Sequence, residues 1–333
     1  MVENLALLAD EVLSNYDVKA ENTKIIQGGG IKTVWKIETS TGPVCLKRLR
    51  KTEEEAIFSI NAQYYLAAHG AKVPAVYPTK AGDLYVNHNG EIFVLYQWII
   101  GNPIRMDSRK ADLTRAITGI AEFHRDSAGY LPEGLKVSSK LGRWPHYYES
   151  MKKRLLNWKE LAAARPNDPM CKIFSANVDF FVELAEKARI LLAASAYNEW
   201  AAEIELKGNL CHQDYGDGNA LWTDTGIYVL DLDGVTYDLP ARDLRKIIMK
   251  RMVKRGSWDT ELINDMTGWY TAVYPLTPEQ LRVLYIDLLF PHEFHNTAKN
   301  PFLKKKITGP EKIATAVKLE KQKIDIILNL LDQ

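Results

Sequence analysis

Cysteine is scarce in this 333-residue chain: Cys45, Cys171 and Cys211 are odd in number, far apart, and lie in no CxxC or Cys/His spacing. That argues against a disulfide framework and a structural zinc site, and fits a reducing, cytoplasmic compartment. Charge of one sign is not in excess either, with 43 Lys and Arg against 42 Asp and Glu. Without a global field, neither nucleic acid nor an anionic membrane is expected as the main partner. No window holds the roughly eighteen uninterrupted apolar residues of a membrane span. The first residues, Met1 to Leu13, lack a basic n-region, and Glu3, Asp10 and Glu11 interrupt their apolar positions, so they read as an amphipathic helix and not a signal peptide. His69, His88, His124, His146, His292 and His295 share no spacing suited to a metal, and Pro291-His292-Glu293-Phe294-His295 lacks the i, i+4 pair of a zinc helix. There is no internal repeat and no low-complexity tract.

What is present is apolar mass: 46% hydrophobic residues, enough for a proper core in one large domain or two ordinary ones. Ile25-Ile26-Gln27 runs into Gly28-Gly29-Gly30, Val34 to Glu38 alternates, and Thr41-Gly42-Pro43 turns the chain into Val44 to Leu49. Glu53 to Ala68 has helical composition and stops before Gly70. Leu84-Tyr85-Val86 and Ile92 to Tyr96 flank the Asn89-Gly90 turn signal, so the first hundred residues read β-β-β-α-β-β. From Asp112 the pattern predicts helices over 113–124, 147–163, 173–194, 244–254, 260–274 and 311–331. Residues 129–143 and 297–310 are expected as loops. Between these helices, Ala220-Leu221-Trp222 and Tyr228-Val229-Leu230 flank Asp224-Thr225-Gly226 as another hairpin. The scattered tryptophans and tyrosines fall at helical spacing and are expected to pack.

The strongest local signal is His212-Gln213-Asp214-Tyr215-Gly216-Asp217-Gly218-Asn219, followed twelve residues later by Asp231 at the end of an apolar run. Phosphoryl transfer needs a carboxylate to orient the attacking hydroxyl and accept its proton, plus oxygen ligands for Mg²⁺ on the nucleotide phosphates. Asp214 suits the first task, and Asn219 and Asp231 the second, since a hairpin between them can bring an amide oxygen and a carboxylate to one ion. His212 reads as a brace for the loop. The competing reading is a polar loop of turn-forming residues. Leu230-Asp231-Leu232-Asp233-Gly234 puts two acids on one face if it is a strand, and Asp233 is either a second metal ligand or a solvated acid.

Lys47, in Val44-Cys45-Leu46-Lys47, follows the glycine-rich entry by about seventeen residues, where a lysine can pair with nucleotide phosphates; a lysine alternating on an edge strand is otherwise a solvated face. Gly28, Gly29 and Gly30 permit close approach of backbone N–H groups to phosphate, or form a flexible turn. Lys32 adds charge to the same phosphates or points to water. Of the acids opening the next helix, Glu53, Glu54 and Glu55, the last is the preferred carboxylate partner for Lys47, against the plain reading of favourable charge at a helix N-terminus.

With these parts in this order and at these separations, residues 20 to 300 resemble the aminoglycoside phosphotransferase and choline kinase superfamily. Within it, Gly142-Arg143-Trp144-Pro145, Tyr228 to Asp233, Asp238-Leu239-Pro240-Ala241-Arg242-Asp243-Leu244 and Phe290 to Phe294 are most similar to the CotS family of bacterial spore-coat-associated kinase-like proteins. The resemblance implies an α/β protein-kinase-like bilobal fold, with a small antiparallel-sheet lobe over 1–98 that binds nucleotide and a helical lobe over 99–333 that holds the acceptor. It implies ATP and Mg²⁺ as cofactors, Asp214 as base, Asn219 and Asp231 on the metal, Lys47 on phosphate, and a hinge at Gln97, Trp98 and Ile99 whose backbone meets adenine. Asp243 matches an acid of the family that braces the catalytic loop, against the simpler reading of a helix-start carboxylate. The implied reaction is transfer of the γ-phosphoryl group to a hydroxyl of a small acceptor. The implied partners are that acceptor and other spore coat proteins, with deposition in the coat. Gln213 and Tyr215 depart from the Gly and Leu or Ile usual around the catalytic acid. A coat scaffold that kept the kinase fold without turnover is the alternative. A Ser/Thr protein kinase is disfavoured, because Leu239-Pro240 follows Asp231 too closely for an activation segment.

Overall fold

A computed structural model describes residues 5–27, 33–49, 51–106 and 109–332. The chain runs α1 (Leu5–Leu13), β1 (Ala20–Gln27), β2 (Thr33–Thr39), β3 (Val44–Leu49), α2 (Glu53–Ala68), β4 (Val76–Tyr77), β5 (Val86–His88), β6 (Glu91–Gln97), β7 (Asn102–Pro103) and α3 (Lys110–Asp126). Four helices follow, α4 (Trp144–Ala163), α5 (Pro169–Ser175), α6 (Val178–Ala193) and α7 (Tyr197–Lys207). After β8 (Leu210–Cys211), β9 (Ala220–Thr223), β10 (Gly226–Val229) and β11 (Thr236–Tyr237) come α8 (Ala241–Arg255), α9 (Thr260–Thr271), α10 (Pro278–Leu289), α11 (His292–Phe302) and α12 (Pro310–Leu331). The chain divides into two compact units, 1–139 with 207–237, and 140–206 with 238–333. This is a different division from a break after residue 98.

In the first unit the antiparallel order is β1-β2-β3-β6-β4, with β5 also paired to β6. Strand alternation sends Val44 and Leu46 to one face, where they meet Trp35, Ile37, Phe93 and Leu95 under Leu8, Val12 and Tyr16 of the α1 region. The opposite face carries Cys45, Leu49, Ile92, Val94 and Tyr96 beneath Ala56 and Ile60 of α2. Each layer excludes water from one side of the sheet, so β3 is central and covered on both faces. At the other end β1 is an edge strand, and its pairing with β2 slips between Ala20 and Asn22 and again between Ile25 and Gln27. Helix α2 starts where it does because Thr52 and Glu55 form a reciprocal capping box. Farther along, β9 pairs with both β10 and β7, and this small sheet packs on α3.

The second unit is helical. The expected helix over 173–194 is broken into α5 and α6, with Asp168 capping α5 through the amides of Met170 and Cys171, and Asn177 standing at the N-cap position of α6. Three further helices, α7, α10 and α11, occupy segments outside the expected helical ranges, and α11 carries Pro301 in its last turn, inside the expected 297–310 loop. Burial in this unit includes charge. Asp287 accepts from Tyr148 Oη at 2.7 Å, Arg245 Nε at 2.9 Å and His292 Nε2 at 2.8 Å. Buried Lys323 pairs with Glu320 and donates to the Phe290 carbonyl at 2.9 Å, while Glu320 accepts from the Glu293 amide at the start of α11. Paired in this way, the charges stay satisfied out of water.

Candidate functional site

Strand β3 places Lys47 on the α2 face of the sheet, and the residue is 7% exposed. It is neither on an edge strand nor solvated. Its Nζ lies 2.6 Å from Oδ1 of Asp231 and 2.6 Å from Oδ1 of Asp233. Burial alone pushes this ammonium's pKa down; the two carboxylates outweigh it and hold the pKa above the ordinary lysine value.

The two acids do not share a strand face. β10 ends at Val229, Asp231 sits in the left-handed region at φ 61°, ψ 59°, and Leu232–Gly234 form a short 3₁₀ turn. The apolar alternation read as strand ends here because one left-handed residue reverses the chain, a conformation Asp tolerates better than most residues. Leu232 is buried, α2 packs on the turn, and the acids on either side of Leu232 reach the same ammonium.

The 212–219 loop closes on itself and on β10. The Asp214 amide donates to His212 Nδ1 at 3.2 Å, so His212 carries its proton on Nε2 and donates to the Leu230 carbonyl at 2.8 Å. Asn219 Nδ2 donates to the Asp214 carbonyl at 2.9 Å, and the Leu230 amide donates to the Asn219 carbonyl at 3.0 Å. Asp214 is exposed, its backbone fixed from both sides. These bonds set Asn219 beside the segment that delivers Asp231. Tyr215 is buried and donates from Oη to the Ala116 carbonyl of α3 at 2.9 Å, an anchor that a Leu or Ile cannot make. Gln213 is held at φ 69°, in the region where glycine is at ease. Asp217 Oδ1 accepts the Met106 amide at 2.9 Å and so ties the segment after β7 to this loop.

Other expected site residues fall differently. Glu55 is exposed and its carboxylate accepts the Thr52 amide at 3.3 Å as half of the capping box. That corrects the expected pairing with Lys47: a residue at the third helical position is drawn back to its own N-cap. Gln97 closes β6, with its amide on the Ala75 carbonyl at 2.8 Å; Trp98 lies under Lys36 Nζ at 5.3 Å, and Ile99 is half-buried. Gly28, Gly29, Gly30 and Lys32 lie outside the described residues.

Two neighbours escaped the sequence reading. Lys51 is half-buried, and its pKa is lowered by burial against the pull of Asp233 and Glu55 and beside the Lys47 charge. Tyr96 is buried with its phenol pushed well above the ordinary value by burial, then by Asp233, Cys45 and Asp231. A second lysine four residues after the first was a visible signal for Lys51. Nothing in the alternation of β6 distinguished Tyr96 from a core residue.

The profile of the family described as "Spore coat putative kinase YutH" matches residues 10–324. Spore coat protein S of Bacillus subtilis (strain 168) is 30% identical over 303 residues, which cover 90% of this chain and 86% of that one. The endospore coat-associated protein YutH of the same organism is 24% identical over 226 residues, covering 68% and 63%. Among solved structures, an aminoglycoside phosphotransferase from Alicyclobacillus acidocaldarius superposes with a TM-score of 0.76 at 17% identity, over 97% of this chain and 94% of that one. The spectinomycin phosphotransferase APH(9)-Ia, in complex with ADP and spectinomycin, superposes with a TM-score of 0.60 at 14% identity, over 98% of each chain. The fold is therefore that of small-molecule phosphotransferases, a mixed α/β protein with a small antiparallel sheet and a helical part.

Proposed function

The chain belongs to the YutH family of spore coat kinase-like proteins, and from that premise we propose that it is an ATP- and Mg²⁺-dependent phosphotransferase acting on a hydroxyl of a small molecule at the spore coat. The observation that carries this reading is the hydrogen-bonded closure of the 212–219 loop onto Leu230, which sets an exposed carboxylate, an amide and the Asp231 carboxylate in one framework with Lys47.

In this reading Asp214 receives the acceptor hydroxyl, orients it toward the γ-phosphoryl group and takes its proton. Asn219 and Asp231 offer an oxygen-only donor set, which fits Mg²⁺, and the Lys47 ammonium against two carboxylates supports reading this position as an anionic one. Held by these two residues, Mg²⁺ would supply positive charge to neutralise the phosphates. Lys47 turns its donors to the phosphates. The adenine is assigned to the backbone around Gln97 and Ile99, and phosphate binding to Gly28 to Gly30 with Lys32. The acceptor class is supported by relatives by fold that act on small molecules, among them the spectinomycin phosphotransferase and a microcompartment-associated aminopropanol kinase.

The test is Mg²⁺-dependent turnover of ATP by wild type and Asp214→Asn across amino alcohols, aminoglycosides, sugars and thiamine. A supported reading gives turnover with one acceptor class and a loss of about 10²–10⁴ in kcat for the variant, with ATP affinity kept. Binding of ATP with no phosphorylated product from the panel or a spore extract favours a scaffold that retains nucleotide. No binding at all removes the assignment.

A further inference from the structure

We propose that Asp233, and not a glutamate of α2, is the carboxylate that holds Lys47 in place for the nucleotide, leaving Asp231 to the metal; the inference rests on the kinase reading above. A phosphate-binding lysine on a strand needs a fixed anion beside it, and in kinase-like folds the adjacent helix ordinarily supplies one. Here the helix cannot. Its acids are confined to the first turn, and each is engaged elsewhere. Glu53 accepts from Tyr85 Oη at 2.6 Å and from Asn87 Nδ2 at 2.9 Å, Glu54 pairs with Lys136 at 3.1 Å, and Glu55 caps the helix through Thr52. The rest of α2, Ala56 to Ala68, holds no acid at all.

Helix α2 packs on the Leu232–Gly234 turn, and that turn carries the carboxylate the helix does not supply. Asp233 Oδ1 lies 2.6 Å from Lys47 Nζ, the same distance as Asp231 Oδ1. The two acids differ in their surroundings. Asp231 directly follows Leu230, whose amide is bonded to the Asn219 carbonyl, so it belongs to the side that offers metal ligands. Asp233 lies beyond buried Leu232, where the second ammonium, Lys51, also feels its charge. When Asp231 turns to a metal, Lys47 keeps Asp233. The positioning residue has moved from the helix to the turn it covers.

The experiment is calorimetric titration with ATP, in EDTA and again in Mg²⁺, of wild type, Asp233→Asn, Asp233→Glu, Asp231→Asn, Lys47→Met and the Lys47→Met/Asp233→Asn double variant, with circular dichroism to verify folding. The expected result is that Asp233→Asn weakens ATP about tenfold with and without metal. Asp233→Glu restores part of the loss, and the double variant binds no worse than Lys47→Met alone. Asp231→Asn instead loses only the increment that Mg²⁺ brings. The inference is overturned if Asp233→Asn loses the Mg²⁺ increment and keeps its metal-free affinity, which would make Asp233 a metal ligand, or if the losses from Lys47 and Asp233 add. Failure of the wild type to bind ATP in either buffer overturns the kinase reading itself and this inference with it.

Discussion

At residue scale the site is held by two backbone conformations that side chains ordinarily avoid, Gln213 at φ 69° and Asp231 at φ 61°. Each costs of order 1 kcal/mol, and such strain persists only where the surroundings over-determine it. At Gln213 this makes a prediction with an inverted sign. Glycine is less favourable than alanine at most ordered positions, yet here Gln213→Gly should exceed Gln213→Ala in stability by about 1 kcal/mol in urea unfolding, because only alanine keeps the left-handed penalty. Equal or reversed midpoints would remove the strain argument. That Asp214 and Asn219 share one closed loop, tied through Leu230 to the turn where Asp231 meets Lys47, was legible in the sequence from the order and spacing of these residues. The carboxylate facing Lys47 was not. Composition showed three acids at the start of α2, but which of them a capping threonine would take is decided by backbone geometry at Thr52.

At the scale of elements, α3 is pressed against the β9–β10 hairpin at Gly119. A methyl group there would come to 2.5 Å from Ile227 Cγ2 and 3.2 Å from Tyr215 Oη. Gly119→Ala gains helix propensity of about 1 kcal/mol, but the overlap opposes it with about 1–3 kcal/mol. The variant should therefore unfold at lower urea than wild type, with the Tyr215 anchor on α3 the contact most disturbed. A variant as stable as wild type would show that the hairpin can back away. Most elements of the first unit were readable from period and turn residues, since one face of each strand is buried and alternation survives. The misses have local causes. β4 and β7 are two residues long, too short for any periodicity. α10 is announced by Thr277-Pro278-Glu279-Gln280, a capping box with proline in the first turn.

At the scale of the whole molecule, acid should act on the helical unit through its buried histidines. Burial, reinforced by Arg245, lowers the His292 pKa to about 3, and burial together with Arg154 lowers that of His295 to about 4. Both stay neutral in the folded state while an unfolded histidine binds a proton below about pH 6.5. Stability contributed this way is complete above that pH and falls as the pH drops toward 4, by up to about 1.4 kcal/mol per pH unit for each histidine. Asp287 lies far below the ordinary carboxylate range, because Arg245 and His292 overcome its burial, so its contribution is complete above about pH 4 and is lost only progressively below that. Glu293 and Glu320, raised by burial, tilt the slope the other way. The clean measurement is thus the difference between wild type and His292→Gln in urea midpoints from pH 7.5 to 5, where the variant should be the less acid-sensitive. Identical slopes would place the His292 pKa near that of a free histidine.

The interrupted edge strand has a consequence for crowding. The outer margin of β1 changes phase twice within eight residues, so its donors and acceptors never line up with those of an incoming strand over more than a few positions. Neighbouring copies brought close together find no continuous template along this edge of the sheet.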